Sequence, residues 1–201
     1  MKKMFFIAVM TIVAMSASAQ REIGSLTLQP KVGLNGPVMF MNDDNLDYEN
    51  FGRFVGGAEV EYQIKKWFSL SAGVLYSQEG GKTKIKDINV VEKAKLDYIN
   101  IPVMANFYVW KGLALKVGVQ PSFKVNEKIE HGMSPAPVPN KYAFEDKAEG
   151  FDLKLPIGIS YDFGGIVLEL RSAPGMIHPF KNKNYISATG QLTIGYKFAL
   201  K

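Results

Sequence analysis

The chain of 201 residues contains no cysteine, two histidines and two tryptophans. Without cysteine no disulfide framework holds the fold in an oxidising compartment, so cohesion must come from backbone pairing and packing. A metal centre needs about three or four converging ligands, and His131 and His178 fall in separate loops with no cysteine to help them. The net charge of +5 is too small and too spread out to argue nucleic-acid binding. After the first segment, no apolar run approaches the roughly 20 residues of a helical span. If this chain crosses a membrane, it does so with strands.

The first segment has the layout of a secretory leader. Met1-Lys2-Lys3 is a positive head, Met4 to Met15 is almost wholly apolar, and Ala17-Ser18-Ala19 is an A-x-A cleavage signal before Gln20. Residues 1–19 are expected to be removed, leaving residues 20–201 as one domain.

What the remainder has in abundance is alternation. Phe151, Leu153, Leu155, Ile157, Ile159, Tyr161 and Phe163 share one face of an extended segment. Asp152, Lys154, Pro156, Gly158, Ser160 and Asp162 share the other. The pattern occurs eight times: about Leu26–Met39, Phe51–Ile64, Trp67–Ser77, Lys93–Val109, Leu113–Asn126, Phe151–Phe163, Ile166–Arg171 and Tyr185–Phe198. Pro30 and Pro37 weaken the first as an interior strand. The breaks alternate as well. Lys65-Lys66, Trp110-Lys111-Gly112 and Gly164-Gly165 are short, whereas about Met41–Asn50, Lys82–Glu92, Ile129–Gly150 and Met176–Asn184 are long. Short turns at one end and long loops at the other are the layout of an outer-membrane barrel. The expected fold is all-β, an eight-stranded antiparallel up-and-down transmembrane barrel.

The polar face then lines the lumen. It carries Lys31, Arg53, Glu59, Glu61, Lys116, Lys124, Asp152, Lys154, Asp162, Glu169, Arg171 and Lys197. Charges in so narrow a space must pair or stay wet. Eight strands leave an interior that side chains can largely fill, so the expected lumen is plugged and passes no large solute. Gly33, Gly57, Gly73, Gly118, Gly158 and Gly195 share this face and make room for the long side chains. Trp67, Trp110, Tyr161, Phe163, Tyr196 and Phe198 sit beside the short turns, with Tyr76, Tyr98 and Tyr185 toward the other ends. Two aromatic girdles are expected at the two membrane interfaces. A soluble lipocalin-like barrel that binds apolar ligands would show the same periodicity with its faces reversed; periodicity alone does not separate the two.

Enzyme chemistry finds little support. Ser187, His178 and Asp44 could be assembled into a triad on paper, as could the loop residues of many chains. Asn42-Asp43-Asp44-Asn45-Leu46-Asp47 offers oxygen ligands but lacks the glycine and terminal glutamate of a calcium loop. No catalytic residue, metal site or cofactor is assigned.

Several ordered stretches point to a family: Lys31-Val32-Gly33-Leu34-Asn35, Gly56-Gly57-Ala58-Glu59, Leu75-Tyr76-Ser77-Gln78-Glu79-Gly80-Gly81, Leu96-Asp97-Tyr98-Ile99-Asn100-Ile101-Pro102, Gly118-Val119-Gln120-Pro121, Phe151-Asp152 leading to Gly158, and Leu192-Thr193-Ile194-Gly195-Tyr196-Lys197-Phe198. Together they resemble the small porin-like outer-membrane β-barrel proteins of the Bacteroidetes. The resemblance implies a monomeric barrel in the outer membrane of a Gram-negative bacterium, embedded in lipid and without a common reaction. One branch resembles a component of the secretion system that serves gliding and protease export, but no residue here selects it. The chain departs from many such barrels by continuing past Phe198 through Ala199-Leu200-Lys201.

Two non-enzymatic roles follow: a structural part of the envelope, or binding of an envelope or extracellular protein through the outer loops, with a small-solute porin as a further alternative. Recognition concentrates in loops on rigid scaffolds. The long loop bearing His131, Pro135, Pro137, Pro139 and Tyr142 is the candidate contact.

Overall fold

A computed structural model of the chain describes residues 22–37, 46–49, 52–80, 82–85, 90–131, 150–176 and 188–200. The leader, Asp44, Pro135, Pro137, Pro139, Tyr142, His178, Tyr185 and Ser187 lie outside the described residues.

Eight antiparallel staves form the barrel. β1 is Leu26–Pro37, β2 Arg53–Lys65 and β3 Phe68–Glu79. β4 is Val90–Asn100 continued by Val103–Trp110, and β5 is Leu113–His131. β6 is Phe151–Lys154 continued by Ile157–Phe163, and β7 is Ile166–Pro174. β8 is Ala188–Tyr196 with Phe198–Ala199. Each stave pairs with the next, and β8 returns to β1 from Lys31↔Gly195 to Pro37↔Thr189. Closure removes the sheet edges, which is what backbone N–H and C=O groups need in lipid.

Proline decides where staves break. β4 is interrupted at Ile101-Pro102 and β6 at Leu155-Pro156, because proline has no N–H to give the ladder. The single segments expected from the sequence are therefore each two strands. Pro30 does not end β1: it pairs with Ala58 and lies where the ladder to β8 is interrupted between Tyr196 and Phe198. The β6–β7 turn is a two-residue hairpin, with Gly164 at φ 71° and Gly165 at φ 107°. Positive φ at both positions matches the twist of the flanking strands and favours glycine.

At the opposite end two readings change. Leu46–Glu49 is a strand paired with Lys82–Ile85, which pairs in turn with β4, so part of the first outer loop is β-structure. β5 also runs on through His131, paired in step with β4 from Glu92↔His131 to Asp97↔Asn126. That ladder carries the chain past the Asn126 boundary that alternation suggests.

The two faces have opposite chemistry. Val32, Leu34, Val74, Val117, Ile157, Leu170 and Leu192 are exposed on the outside, while Lys31, Glu59, Gln120, Lys154, Glu169 and Arg171 are buried inside. A lipocalin-like barrel would have these faces exchanged. A continuous apolar exterior of this extent has lipid as its solvent. Ala188 departs from the expected outward face and is buried.

Candidate functional site

The lumen is filled by three tiers of charge. The middle tier is built from β1, β2, β5 and β7. Lys31 Nζ lies 2.9 Å from Glu59 and 3.1 Å from Glu169. Lys116 Nζ lies 2.7 Å from Glu169 and 3.8 Å from Glu59. Arg171 donates from Nη2 to Glu59 at 2.8 Å and from Nε to Glu169 at 2.6 Å. Neighbours of little bulk, such as Gly158 opposite Arg171, leave room for these long side chains.

The tier nearest the short turns is centred on Glu61. Its carboxylate meets Lys197 Nζ at 2.8 Å and accepts hydrogen bonds from Ser69 at 2.5 Å and from the Tyr108 hydroxyl. Lys197 donates to Tyr108 at 2.9 Å and lies 4.0 Å from Asp162. A small recess opens here, lined by Ser25, Thr27, Glu61, Gln63, Tyr108, Asp162 and Lys197.

The tier toward the loops is centred on Glu79. Lys154 donates to both its oxygens, at 2.7 and 2.6 Å, and Thr189 donates to it at 3.0 Å. Arg53 donates to the Glu79 carbonyl at 2.8 Å and to Asp97 at 3.1 Å, and Asn126 donates to Asp97 at 2.9 Å. The Lys154 ammonium lies 4.9 Å from the Tyr98 ring centroid, within range of the ring's negative face.

Of the charges assigned inward from the sequence, Lys31, Glu59, Lys116, Glu169 and Arg171 converge in the middle tier. Glu61, Asp162 and Lys197 meet in the lower one, and Arg53 and Lys154 in the upper one, where Asp152 is buried beside Gly175. Lys124 forms an ion pair with Glu127 on its own stave at 2.5 Å. Sequence reasoning missed Glu79, Asp97 and Tyr108. Glu79 shares parity with Ser77, but Gly80-Gly81 made it read as loop. At Asp97/Tyr98 the β4–β5 register shifts, passing over Val125 of β5, which is a bulge on β5, and Asp97 and Tyr98 facing it are both buried. Tyr98 therefore belongs to the lumen and not to an outer girdle.

Trp67, Trp110, Phe163 and Phe198 are exposed beside the short turns. Trp67 packs on Phe68 and Phe107, Tyr161 on Phe163 at 4.4 Å, and Tyr196 on Phe198 at 4.7 Å. The backbone of His131 ends β5. Among the described residues, no group of three or more His, Asp or Glu could hold a metal ion.

A family model described as "Outer membrane protein beta-barrel domain" matches residues 17–181. The chain belongs to this family. No curated protein matches the chain in sequence. Among solved structures, the attachment invasion locus protein Ail of Yersinia pestis is similar at 10% identity and TM-score 0.46, over 88% of this chain and 100% of that one. OprG of Pseudomonas aeruginosa is similar at 10% identity and TM-score 0.45, over 89% and 97%. Neisserial surface protein A is similar at 14% identity and TM-score 0.43, over 86% and 95%. This chain is thus an outer-membrane β-barrel domain, with lipid around it and salt bridges plugging its lumen.

Proposed function

We propose that this barrel is a closed, rigid anchor for its outer loops and not a conduit. The observation that carries this reading is the stack of three ion-paired tiers across the lumen, below an end from which all four long connections leave. A scaffold of this kind holds loops in fixed relation, which suits recognition. The segment from His131 to Gly150, with Pro135, Pro137, Pro139 and Tyr142, is the proposed contact for an envelope or extracellular protein. The β4–β5 ladder brings the chain to the start of that segment.

The membership proposed within the broader family is the small porin-like group of the Bacteroidetes, on the ordered motifs from Lys31-Val32-Gly33 to Gly195-Tyr196-Lys197-Phe198. The mature chain is proposed to start at Gln20, as a monomer, which N-terminal sequencing and light scattering in detergent would check.

The test is a pull-down from intact membranes with two proteins, the full chain and one whose 131–150 segment is replaced by a short Gly-Ser turn. A partner recovered only with the full chain supports the reading. Identical recovery, or none, removes the loop from the proposal and leaves a structural envelope role. Planar-bilayer recording tests the plug separately: stable nanosiemens-scale channels from the pure mature protein would show that solutes pass.

A further inference from the structure

The rim at the short turns carries its exposed positive charge on one side. The β2–β3 turn holds Lys65 and Lys66, and the β4–β5 turn holds Lys111, all exposed. β3 pairs with β4 there: Phe68 lies opposite Phe107, and the Tyr108 N–H donates to the Trp67 carbonyl at 2.8 Å. The two turns are therefore neighbours on the rim. Across the mouth, the β6–β7 turn is Gly164-Gly165 and brings no charge. Lys197, whose N–H donates to the Gly165 carbonyl, has a buried side chain paired with Glu61. Among the described residues at this end, Glu22 is the one exposed carboxylate, against three exposed lysines.

The lysine-bearing sector also carries the most extended aromatic packing. Trp67 stacks on Phe107, with ring centroids 6.3 Å and planes 21° apart, and Phe68 tilts against them at 5.7 and 5.2 Å. The Lys65 ammonium lies 5.6 Å from the Trp67 ring centroid. Trp110, on the neighbouring turn, is 65% exposed. This wall continues the apolar exterior, which runs on through exposed Leu70 and Leu115.

We infer that this sector binds an anionic phospholipid of the periplasmic leaflet, its phosphate among the lysines of the two turns and its acyl chains along the Trp67–Phe107 wall. Aromatic rings at the interface hold any phospholipid. The lysines add selection by charge, up to about fivefold in affinity for each basic residue near a negative membrane surface. Their stems can lie on apolar surface while the ammonium reaches the headgroup. Position argues against a soluble acidic partner, because these cations border a wall that already faces lipid. The pairs Tyr161–Phe163 and Tyr196–Phe198 have no exposed lysine among the described residues beside them, and they hold lipid without selecting it.

Trp67 and Trp110 are the only tryptophans in the chain, so their fluorescence reports this sector alone. The test refolds the mature barrel in phosphatidylcholine vesicles that carry a minor fraction of dibrominated phosphatidylglycerol or the same fraction of dibrominated phosphatidylcholine. Bromine quenches tryptophan on contact. Phosphatidylglycerol should quench as though enriched about fivefold at the site. A variant with Lys65→Gln, Lys66→Gln and Lys111→Gln should be quenched equally by the two lipids. So should a variant with Trp67→Phe, Trp110→Phe and Phe163→Trp, which reports the other side of the rim. Equal quenching of the unaltered protein would overturn the inference. A preference that survives the lysine changes would do the same, and so would one of equal size in the Phe163→Trp variant, the mark of a uniform rim. Should the lysine variant fail to refold, salt decides on the unaltered protein. Selection by exposed ammonium groups must collapse as ionic strength rises, and a preference that persists in concentrated salt would refute it.

Discussion

Leu170 and Arg171 are neighbours in the chain but live in different solvents. Leu170 points out of β7, is 58% exposed and needs only an apolar surrounding. Arg171 points in, is almost wholly buried and is held by Glu59 on β2 and Glu169 on its own stave. The outside is specified by character alone, so many apolar side chains serve equally. The inside is specified by identity, because each charge depends on particular partners at particular distances. The comparison can be broken or sharpened by changing one face at a time.

The largest effect is expected at Glu169, which meets Lys31, Lys116 and Arg171 at once. Glu169→Ala leaves three buried cations facing one carboxylate. Removing one partner of a buried ion pair costs about 3–5 kcal/mol. Urea unfolding of the refolded protein in lipid vesicles measures it, with Leu170→Val as the control that should move little. A loss below about 1 kcal/mol for Glu169→Ala would mean that the lumen is wet enough to solvate the charges, and the contrast between the faces would fail.

Next in size is the reverse intrusion, a charge on the lipid face. Leu170→Arg should cost about 2–4 kcal/mol if the site is near the bilayer midplane. The same change at Phe163, beside the Gly164-Gly165 turn, should cost at most about 1 kcal/mol, since the penalty fades toward the interface. Equal losses at the two positions would mean that the apolar band is misplaced on this barrel.

A third test concerns space. An alanine Cβ at Gly33 would lie 2.0 Å from the Leu192 carbonyl oxygen and 2.7 Å from the Thr193 Cα. Both are backbone atoms of the neighbouring stave, so β1 or β8 must shift. Overpacking of this kind costs about 1–3 kcal/mol. The loss should appear in unfolding without changing the apolar exterior, which places Gly33 with the inner face in its intolerance of change.

The two faces also differ in how far they could be read from the sequence. Alternation is fixed by the pleat, so the outward set of Val32, Leu34, Leu168, Leu170, Leu192 and Ile194 was legible, as were eight staves and the short turns. The pairing of Arg171 with Glu59, 112 residues apart, was not legible, because it depends on register around a closed ring. Local irregularities hid more. The bulge on β5 at Val125 shifts the register opposite Asp97 and Tyr98, both of which are buried, and the prolines at 102 and 156 cut staves that alternation reads as continuous. Glu79, the hub of the upper tier, stands just before a glycine pair that signals a loop. Charge type and parity revealed which residues enter the lumen; they could not reveal which residues meet there.

The smallest expected effect lies at the hairpin that joins β6 to β7 and belongs to neither face. Gly164 adopts φ 71°, and an added Cβ there would meet nothing within 4 Å. Gly164→Ala therefore tests backbone conformation alone, whereas Gly33→Ala tests space alone. A non-glycine residue in the left-handed region costs about 1–2 kcal/mol, and a solvent-exposed turn can relax to absorb part of that. The expected loss is about 1 kcal/mol, measured by the same urea titration. The Asp162 carboxylate accepts a hydrogen bond from the Gly165 N–H at 2.8 Å, which ties this turn to the lower tier. Gly164→Asn should recover part of the loss, because asparagine tolerates positive φ. A loss at Gly164→Ala as large as at Gly33→Ala, with no recovery in Gly164→Asn, would show that the turn itself holds the lower tier in place.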